Sequence, residues 1–156
     1  MPDGPVVLNN TPLVALWVLD RLALLRELFG EVLIPSAVRD EFLATATAER
    51  RAALDSAPWI RIVPLSAPRR VLAYTGLDQG EAEVLALAEV QGARLVIIDE
   101  RRARRYAHRL QLPLTGTLGV ILLAKERGLI PAVRPLVEGL LAAGLYLSPE
   151  VVERVL

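Results

Sequence analysis

The sequence predicts a three-layer α/β/α sandwich built around a mostly parallel sheet. Short apolar runs alternate along the chain with longer stretches of helical periodicity, as in chains that wind helices around parallel strands. The clearest run, residues 94–98, is apolar at its last four positions and ends in Asp99 and Glu100. A continuously apolar strand is typical of a parallel strand covered on both faces. We therefore expect an interior strand whose carboxyl end lies where ligands gather in such folds.

The first half of the chain predicts three strands and four helices. The strands cover residues 6–9, 31–34 and 59–63, and the third alternates as an edge strand does. The helices cover 13–17, 22–29, 36–42 and 45–56. Thr11 is expected to cap the first helix, Pro12 fits its first turn, and Gly30 ends the second.

The second half continues the alternation. A loop at 66–70 leads towards a short helix before Gly76, and a helix runs from Asp78 to Gly92. After the interior strand come an arginine-rich helix to about residue 110, a short strand or extended helix entry at 112–114, and a helix at 115–127. Residues 132–143, 145–147 and 149–156 predict helix, extended segment and helix. The apolar positions of the first of these, Leu136, Val137, Leu140 and Leu141, favour either a dimer or antitoxin groove or burial in the monomer core.

Length and composition restrict the class of protein. The 156 residues predict one domain spanning 1–156. The chain has no cysteine and a single histidine, which excludes metal sites built on thiolates or on several imidazoles, so any metal is expected to bind oxygen. No apolar stretch is long enough for a membrane span, and the start of the chain lacks the basic residues of a signal peptide. We expect a cytoplasmic protein without membrane association.

The net charge gives no general affinity for nucleic acid, because 18 basic residues balance 18 acidic ones. A local basic patch could provide that affinity. At helical spacing Arg101, Arg105 and Arg109 share one face, with Arg102 beside it. This face either binds an RNA backbone or is a solvated surface paired with Glu100. Aromatic residues make up only 4% of the chain, so no base-stacking platform is predicted.

Four polar side chains are expected at one edge of the sheet: Asn9, Glu41, Glu81 and Asp99. If the first and fourth strands are adjacent, Asn9 and Asp99 lie side by side. Such a cluster repels itself unless a cation is bound, and Mg²⁺ or Mn²⁺ suits oxygen ligands and can activate water against a phosphodiester. Each of the three acids can also be explained by a structural role that involves no ligand. Asp78 with Glu81 fits a capping box, Asp99 fits an N-cap, and Glu41 fits a solvated helix face.

Three segments resemble the PIN-domain superfamily, and its VapC-like prokaryotic branch in particular. They are VVLNNTPLVALWVLDRLALLRELFGEVLIPSAVRDEFL, LDQGEAEVLALA and LVIIDERRARRYAHRLQLPLTGTLGVILLAKERGLI. The resemblance implies a parallel α/β/α fold and a Mg²⁺- or Mn²⁺-dependent ribonuclease acting on single-stranded RNA, in many members a toxin neutralised by a small antitoxin. Carried over by motif, the acids are Glu41, Glu81 and Asp99, with Thr115 and Thr117 near the site.

The chain departs from the family pattern at Asn9, where the first strand of a PIN domain typically delivers an aspartate. An asparagine offers a carbonyl oxygen but removes one negative charge from the metal site. Asp78 is a candidate to compensate from the mouth of the site. Two hypotheses follow: a nuclease in which Asn9 is a neutral fourth ligand, or a catalytically impaired module that binds RNA or a protein partner. A nucleotide-binding regulatory domain is disfavoured, because no glycine-rich loop follows the first strand.

Overall fold

Each apolar run predicted to be a strand forms one, and all five strands pair in parallel. The strands are β1 (Val6–Leu8), β2 (Val32–Ile34), β3 (Ile60–Ile62), β4 (Leu95–Ile97) and β5 (Leu114–Thr115). Their order in the sheet is β3-β2-β1-β4-β5. Helices flank this sheet, which confirms the predicted α/β sandwich; the sheet is wholly parallel over the described residues.

The computed structural model describes residues 3–156, without the side chains of Val151 and Val155. Met1 and Pro2 lie outside the described residues, so the predictions that include them, the 1–156 domain and a chain start without a signal peptide, extend beyond this structure. Over residues 3–156 no helix is both long and apolar enough to cross a membrane.

The helices follow the predicted order. They are α1 (Asn10–Val18), α2 (Ala23–Phe29), α3 (Ser36–Phe42), α4 (Thr47–Asp55), α5 (Gln79–Gln91), α6 (Arg101–Arg109), α7 (Thr117–Glu126), α8 (Arg134–Ala142) and α9 (Pro149–Val155). A 3-10 helix, Pro68–Ala73, precedes α5. Helix α5 contacts β1, β4, α3 and α6, whereas α2 contacts β2 and α7. Residues 145–147, predicted to be extended, belong to neither a helix nor a strand.

Burial of the strands explains their order in the sheet. Every residue of β1 and β2 is buried, as expected of strands covered on both faces. Strand β3 buries Ile60 and exposes Arg61 and Ile62, which suits the edge position that its alternation predicted. Strand β4 is interior, as predicted, but the middle strand is β1.

Two local predictions were wrong. Helix α1 begins at Asn10, one residue before the expected cap, and Thr11 turns its hydroxyl to Glu100 instead of a backbone N–H. A tertiary hydrogen bond to a carboxylate thus replaces the local cap. Asp99 does not cap the following helix either: the N-cap position of α6 is Glu100, which makes no side-chain cap hydrogen bond.

The apolar face of α8 belongs mainly to the monomer core. Leu136, Val137 and Leu140 are buried, and only Leu141 of the four predicted positions is exposed, at 44%. Burial in the core, one of the two alternatives for this helix, therefore explains most of its apolar surface.

Candidate functional site

The carboxyl ends of the parallel strands bring the predicted polar residues to one edge of the sheet. The register places Leu8 beside Ile97, and the backbone N–H of Asn9 donates to Ile97 O at 3.0 Å. Asp99 and Glu100 follow β4 on the neighbouring strand, and Thr115 ends β5 beyond it. The edge thus collects side chains that are about ninety residues apart in sequence.

The Asn9 side chain contacts Glu100 directly. Asn9 is 3% exposed, and its Nδ2 donates to Glu100 Oε2 at 2.9 Å. Thr11 Oγ1 donates to the other oxygen, Oε1, at 2.7 Å. The remaining polar atom of this amide, Asn9 Oδ1, is buried without a hydrogen-bond partner, and so is Oδ1 of the adjacent Asn10. Buried carbonyl oxygens without a partner are costly, so these two mark a place where a ligand is expected.

Asp99 faces a different neighbour. Its Oδ1 accepts from the backbone N–H of Thr117 at 2.8 Å, and its Oδ2 accepts from Thr117 Oγ1 at 2.5 Å. Consecutive residues of an extended chain project to opposite sides, and for this reason Asp99 and Glu100 diverge. Gly116 permits the close approach, because a Cβ there would collide with Asp99 Oδ1. Asp99 therefore fixes the first turn of α7, while Glu100 faces β1.

Glu41 reaches the edge from α3. Its Oε1 lies against Gly80 at the start of α5, where a Cβ would be 2.9 Å from that oxygen and 3.6 Å from Asp78 Oδ1. The pKa of Glu41 is raised, first by partial desolvation and then by repulsion from Asp78 and Glu100, while hydrogen bonding with Asn10 lowers it. Glu41 is thus part of a self-repelling acidic group, although much of it remains in contact with solvent.

Glu81 has a structural role and also belongs to this group. It completes the predicted capping box, in which Glu81 N donates to Asp78 Oδ1 at 2.8 Å and Asp78 N donates to Glu81 Oε1 at 3.2 Å. The pKa of Glu81 is raised, first by desolvation and then by repulsion from Asp78, Glu100 and Glu41, against the lowering effect of the Asp78 N–H. The predicted capping box is therefore present, and the same carboxylate also experiences like charge from Glu41 and Glu100.

A cleft of about 850 Å³ opens beside Asp99 and Glu100. Its basic wall comes from α6, with the side chains of Arg101, Arg104, Arg105 and His108, and Thr115 and Thr117 also line it. Its other wall contains the segment from Leu145 to Ser148, including Tyr146, which is 83% exposed. The cleft therefore combines cationic, apolar and aromatic surface next to the acids.

The four predicted arginines divide into two pairs. Arg101 and Arg105 line the cleft. Arg102 instead donates to Gly76 O at 3.1 Å, and the guanidinium of Arg109 stacks on Tyr106, 5.0 Å from the centre of the ring. Glu100 forms no ion pair with any of them within residues 3–156, so the predicted pairing of this face with Glu100 is not seen.

The donor atoms at this edge suit a hard divalent cation. They are carboxylate oxygens of Glu41, Glu81 and Glu100, together with the partnerless carbonyl oxygens of Asn9 and Asn10. In the described part of the chain, however, no three Asp, Glu or His side chains converge closely enough to hold an ion as they stand. Cation binding thus requires side-chain movement, which the exposed Glu41 can make at little cost.

Several residues that the fold brings to the site were not predicted as site residues. Glu100 stands next to a predicted acid and Asn10 next to a predicted ligand, so adjacency was the only available signal for them. Tyr146 had no signal, because its position on the cleft depends on how the segment after α8 packs.

These features define a parallel α/β protein with acidic side chains and a basic cleft at the carboxyl edge of its sheet. A protein-family model of the PIN domain matches residues 5–156, nearly the whole chain. The chain belongs to the PIN-domain family, a family of nucleases that generally depend on divalent metal ions. A search of curated proteins found no match.

Proposed function

We propose that this protein is a metal-dependent endoribonuclease of the VapC-like branch that cuts single-stranded RNA. One observation carries the proposal. The carboxylates of Glu41, Glu81 and Glu100 are close enough to repel one another, and they lie at the edge where Asn9 buries a carbonyl oxygen without a partner. A group that repels itself and retains unpartnered oxygens is the arrangement that a cation stabilises.

The side chains at this edge have different roles in the proposed reaction. Glu41, Glu81 and Glu100, with the Asn9 oxygen, would hold Mg²⁺ or Mn²⁺, and Asp99 remains a predicted member of this set. When bound, the ion lowers the pKa of a water molecule and offsets charge on the phosphate oxygens. Asp99 lines the cleft with its orientation fixed by Thr117, so its carboxylate is positioned to orient a water molecule or the scissile phosphate.

The basic wall supports an RNA substrate. Arg101 and Arg105 lie along the same cleft as Asp99, and a guanidinium binds two phosphate oxygens at once. Arg105→Ala should weaken binding of a single-stranded oligonucleotide and reduce the salt dependence of that binding by roughly one counterion, as expected for a lost phosphate contact. Arg109→Ala is the matched control, because Arg109 stacks on Tyr106 outside the cleft. Equal losses in both variants would argue against this path for the RNA.

The direct test is cleavage of a mixed single-stranded RNA with Mn²⁺ or Mg²⁺. Asp99→Asn should abolish cleavage without unfolding the protein, because an asparagine can still accept from Thr117 N–H and donate to its hydroxyl oxygen. Asp55→Asn, at the exposed end of α4, controls for the loss of one acid and for contaminating nuclease. Cleavage that survives in Asp99→Asn would reject the assignment.

A second candidate is a PIN-fold module that binds RNA or a protein partner without catalysis. Asn9 in place of an acid favours it, as does the absence of a preformed three-acid cluster in the described residues. RNA binding that persists in EDTA, with no cleavage by the protein in Mn²⁺, is the result that this candidate predicts. If Asn9→Asp then restored cleavage, the chemistry would have been lost through this one residue.

We further propose that the protein acts in the cytoplasm as the toxin of a toxin–antitoxin pair, as its resemblance to VapC-like proteins implies. Induced expression should then arrest growth, and Asp99→Asn should relieve the arrest. A dimer and a small antitoxin also stay predictions. Since α8 commits most of its apolar face to the core, light scattering of the purified protein is the appropriate test of the dimer.

A further inference from the structure

We propose that Glu100 supplies the negative charge that Asn9 removes from the metal site. This inference rests on the proposed metal-dependent function and identifies a ligand of that site. Glu100 is not one of the acids carried over from the family motifs. The Asn9–Glu100 contact joins the two positions directly, through Nδ2 and Oε2 at 2.9 Å.

The polarity of this contact explains why the two residues occur together. An ionised carboxylate accepts hydrogen bonds and cannot donate them. An aspartate at position 9, where Asn9 is only 3% exposed, would therefore face Glu100 with like charge. The amide of Asn9 donates instead. With Glu at position 100, an asparagine at position 9 gives the pair one negative charge and a satisfied hydrogen bond.

The orphaned oxygen points to a ligand independently of the acids. Once Nδ2 of Asn9 is turned to Glu100, Oδ1 is left in a buried place without a partner. An asparagine kept only to fix the end of β1 to β4 gains nothing from an unpaired buried carbonyl, which costs about 1–3 kcal/mol. A cation that Glu100 helps to hold would offer this oxygen a partner.

The remaining geometry orients Glu100 towards the same group. Thr11 Oγ1 donates to Oε1 at 2.7 Å, so both carboxylate oxygens are held while each keeps a further lone pair. Glu100 also contributes to raising the pKa values of both Glu41 and Glu81, which places its charge with theirs. Asp99 differs in its partner, because both of its oxygens accept from Thr117 and neither accepts from Asn9.

The test is the affinity of the metal-free protein for Mn²⁺, measured by calorimetry and needing no substrate. Glu100→Gln should weaken Mn²⁺ binding by about 10- to 100-fold, the range for loss of a group that holds or supports a metal ligand. The double variant N9D/E100Q should recover most of that loss, because it restores the charge and reverses the donor and acceptor of the pair. Glu126→Gln, an exposed acid at the end of α7, should bind as the unaltered protein does.

The outcomes separate this inference from the proposed function. Failure of the unaltered protein to bind Mn²⁺ overturns both. Binding by the unaltered protein with equal affinity in Glu100→Gln overturns only the role of Glu100. If Glu100→Gln does not fold, Asn9→Asp decides: with Glu100 present it should unfold at a lower temperature without metal and gain more from Mn²⁺ than the unaltered protein gains. An identical gain would overturn the inference.

Discussion

Thr117 provides the sharpest test of how the carboxyl edge is held together. It is 4% exposed and donates twice to Asp99, through its backbone N–H at 2.8 Å and its hydroxyl at 2.5 Å. Thr117→Val keeps the shape and the N–H but removes the hydroxyl. Since a hydrogen bond to a charged group contributes about 1.5–3 kcal/mol, we expect the free energy of unfolding to fall by that amount.

For a domain of this length each kcal/mol lowers the melting temperature by about 2–4 °C, so the expected loss is roughly 3–12 °C. Urea denaturation and a thermal melt should agree. Thr115→Val is the matched control two residues earlier, where the hydroxyl packs against Gly119 instead of a carboxylate. Equal losses of stability in both variants would contradict this prediction, because loss of a threonine hydroxyl would then cost the same with or without the Asp99 contact.

Three further predictions address the acids and the cleft. The pKa of Glu41 in the folded protein lies above its ordinary value of 4.5, so the ionised form of Glu41 destabilises the fold. Glu41→Gln should therefore raise the free energy of unfolding, measured in EDTA at pH 7. This gain should vanish below pH 4.5, where Glu41 is protonated in both the folded and the unfolded state. Gly80→Ala should displace the Glu41 carboxylate and weaken Mn²⁺ binding about tenfold, as measured by calorimetry. The free energy of unfolding of the metal-free protein, measured in urea, should change by less than about 1 kcal/mol. Tyr146→Ala should weaken binding of single-stranded RNA by about 1–3 kcal/mol, whereas Tyr146→Phe retains it; equal losses in a filter-binding assay would exclude base stacking.

Structural features that are determined by residues close together in the sequence were predictable. Burial on both faces makes a parallel strand continuously apolar, so the strands could be located from their runs. The capping box of Asp78 and Glu81 was also predictable, because both of its hydrogen bonds join residues three apart. The adjacency of β1 and β4 entered the prediction only as a condition for Asn9 and Asp99 to lie side by side, because strand order is not coded by neighbouring residues.

Contacts between distant residues were not predictable. Asn9 and Glu100 are 91 residues apart, and which of two consecutive acids faces β1 depends on the direction in which the chain leaves β4. A second contact of Glu100 explains why the prediction for Thr11 was wrong, since a hydroxyl near a half-buried carboxylate donates to that charge instead of accepting from a helix N–H. Local capping preferences therefore fail where a tertiary charge competes for the same side chain.

The charge of the site is best counted over the whole edge, not position by position. Asn9 lowers that count by one relative to the family pattern, yet Glu100 lies in contact with its amide and restores the charge within the same group. A motif comparison that scores position 9 alone would classify the site as impaired. Because metal affinity depends on the number and placement of charged oxygens, the loss of one acid is tolerated when a neighbouring strand presents another towards the same cation. The proposed metal affinity of this chain therefore depends on Glu100, which the Mn²⁺ affinity of Glu100→Gln tests, whereas RNA cleavage by the unaltered protein in Mn²⁺ decides between the nuclease and the binding module.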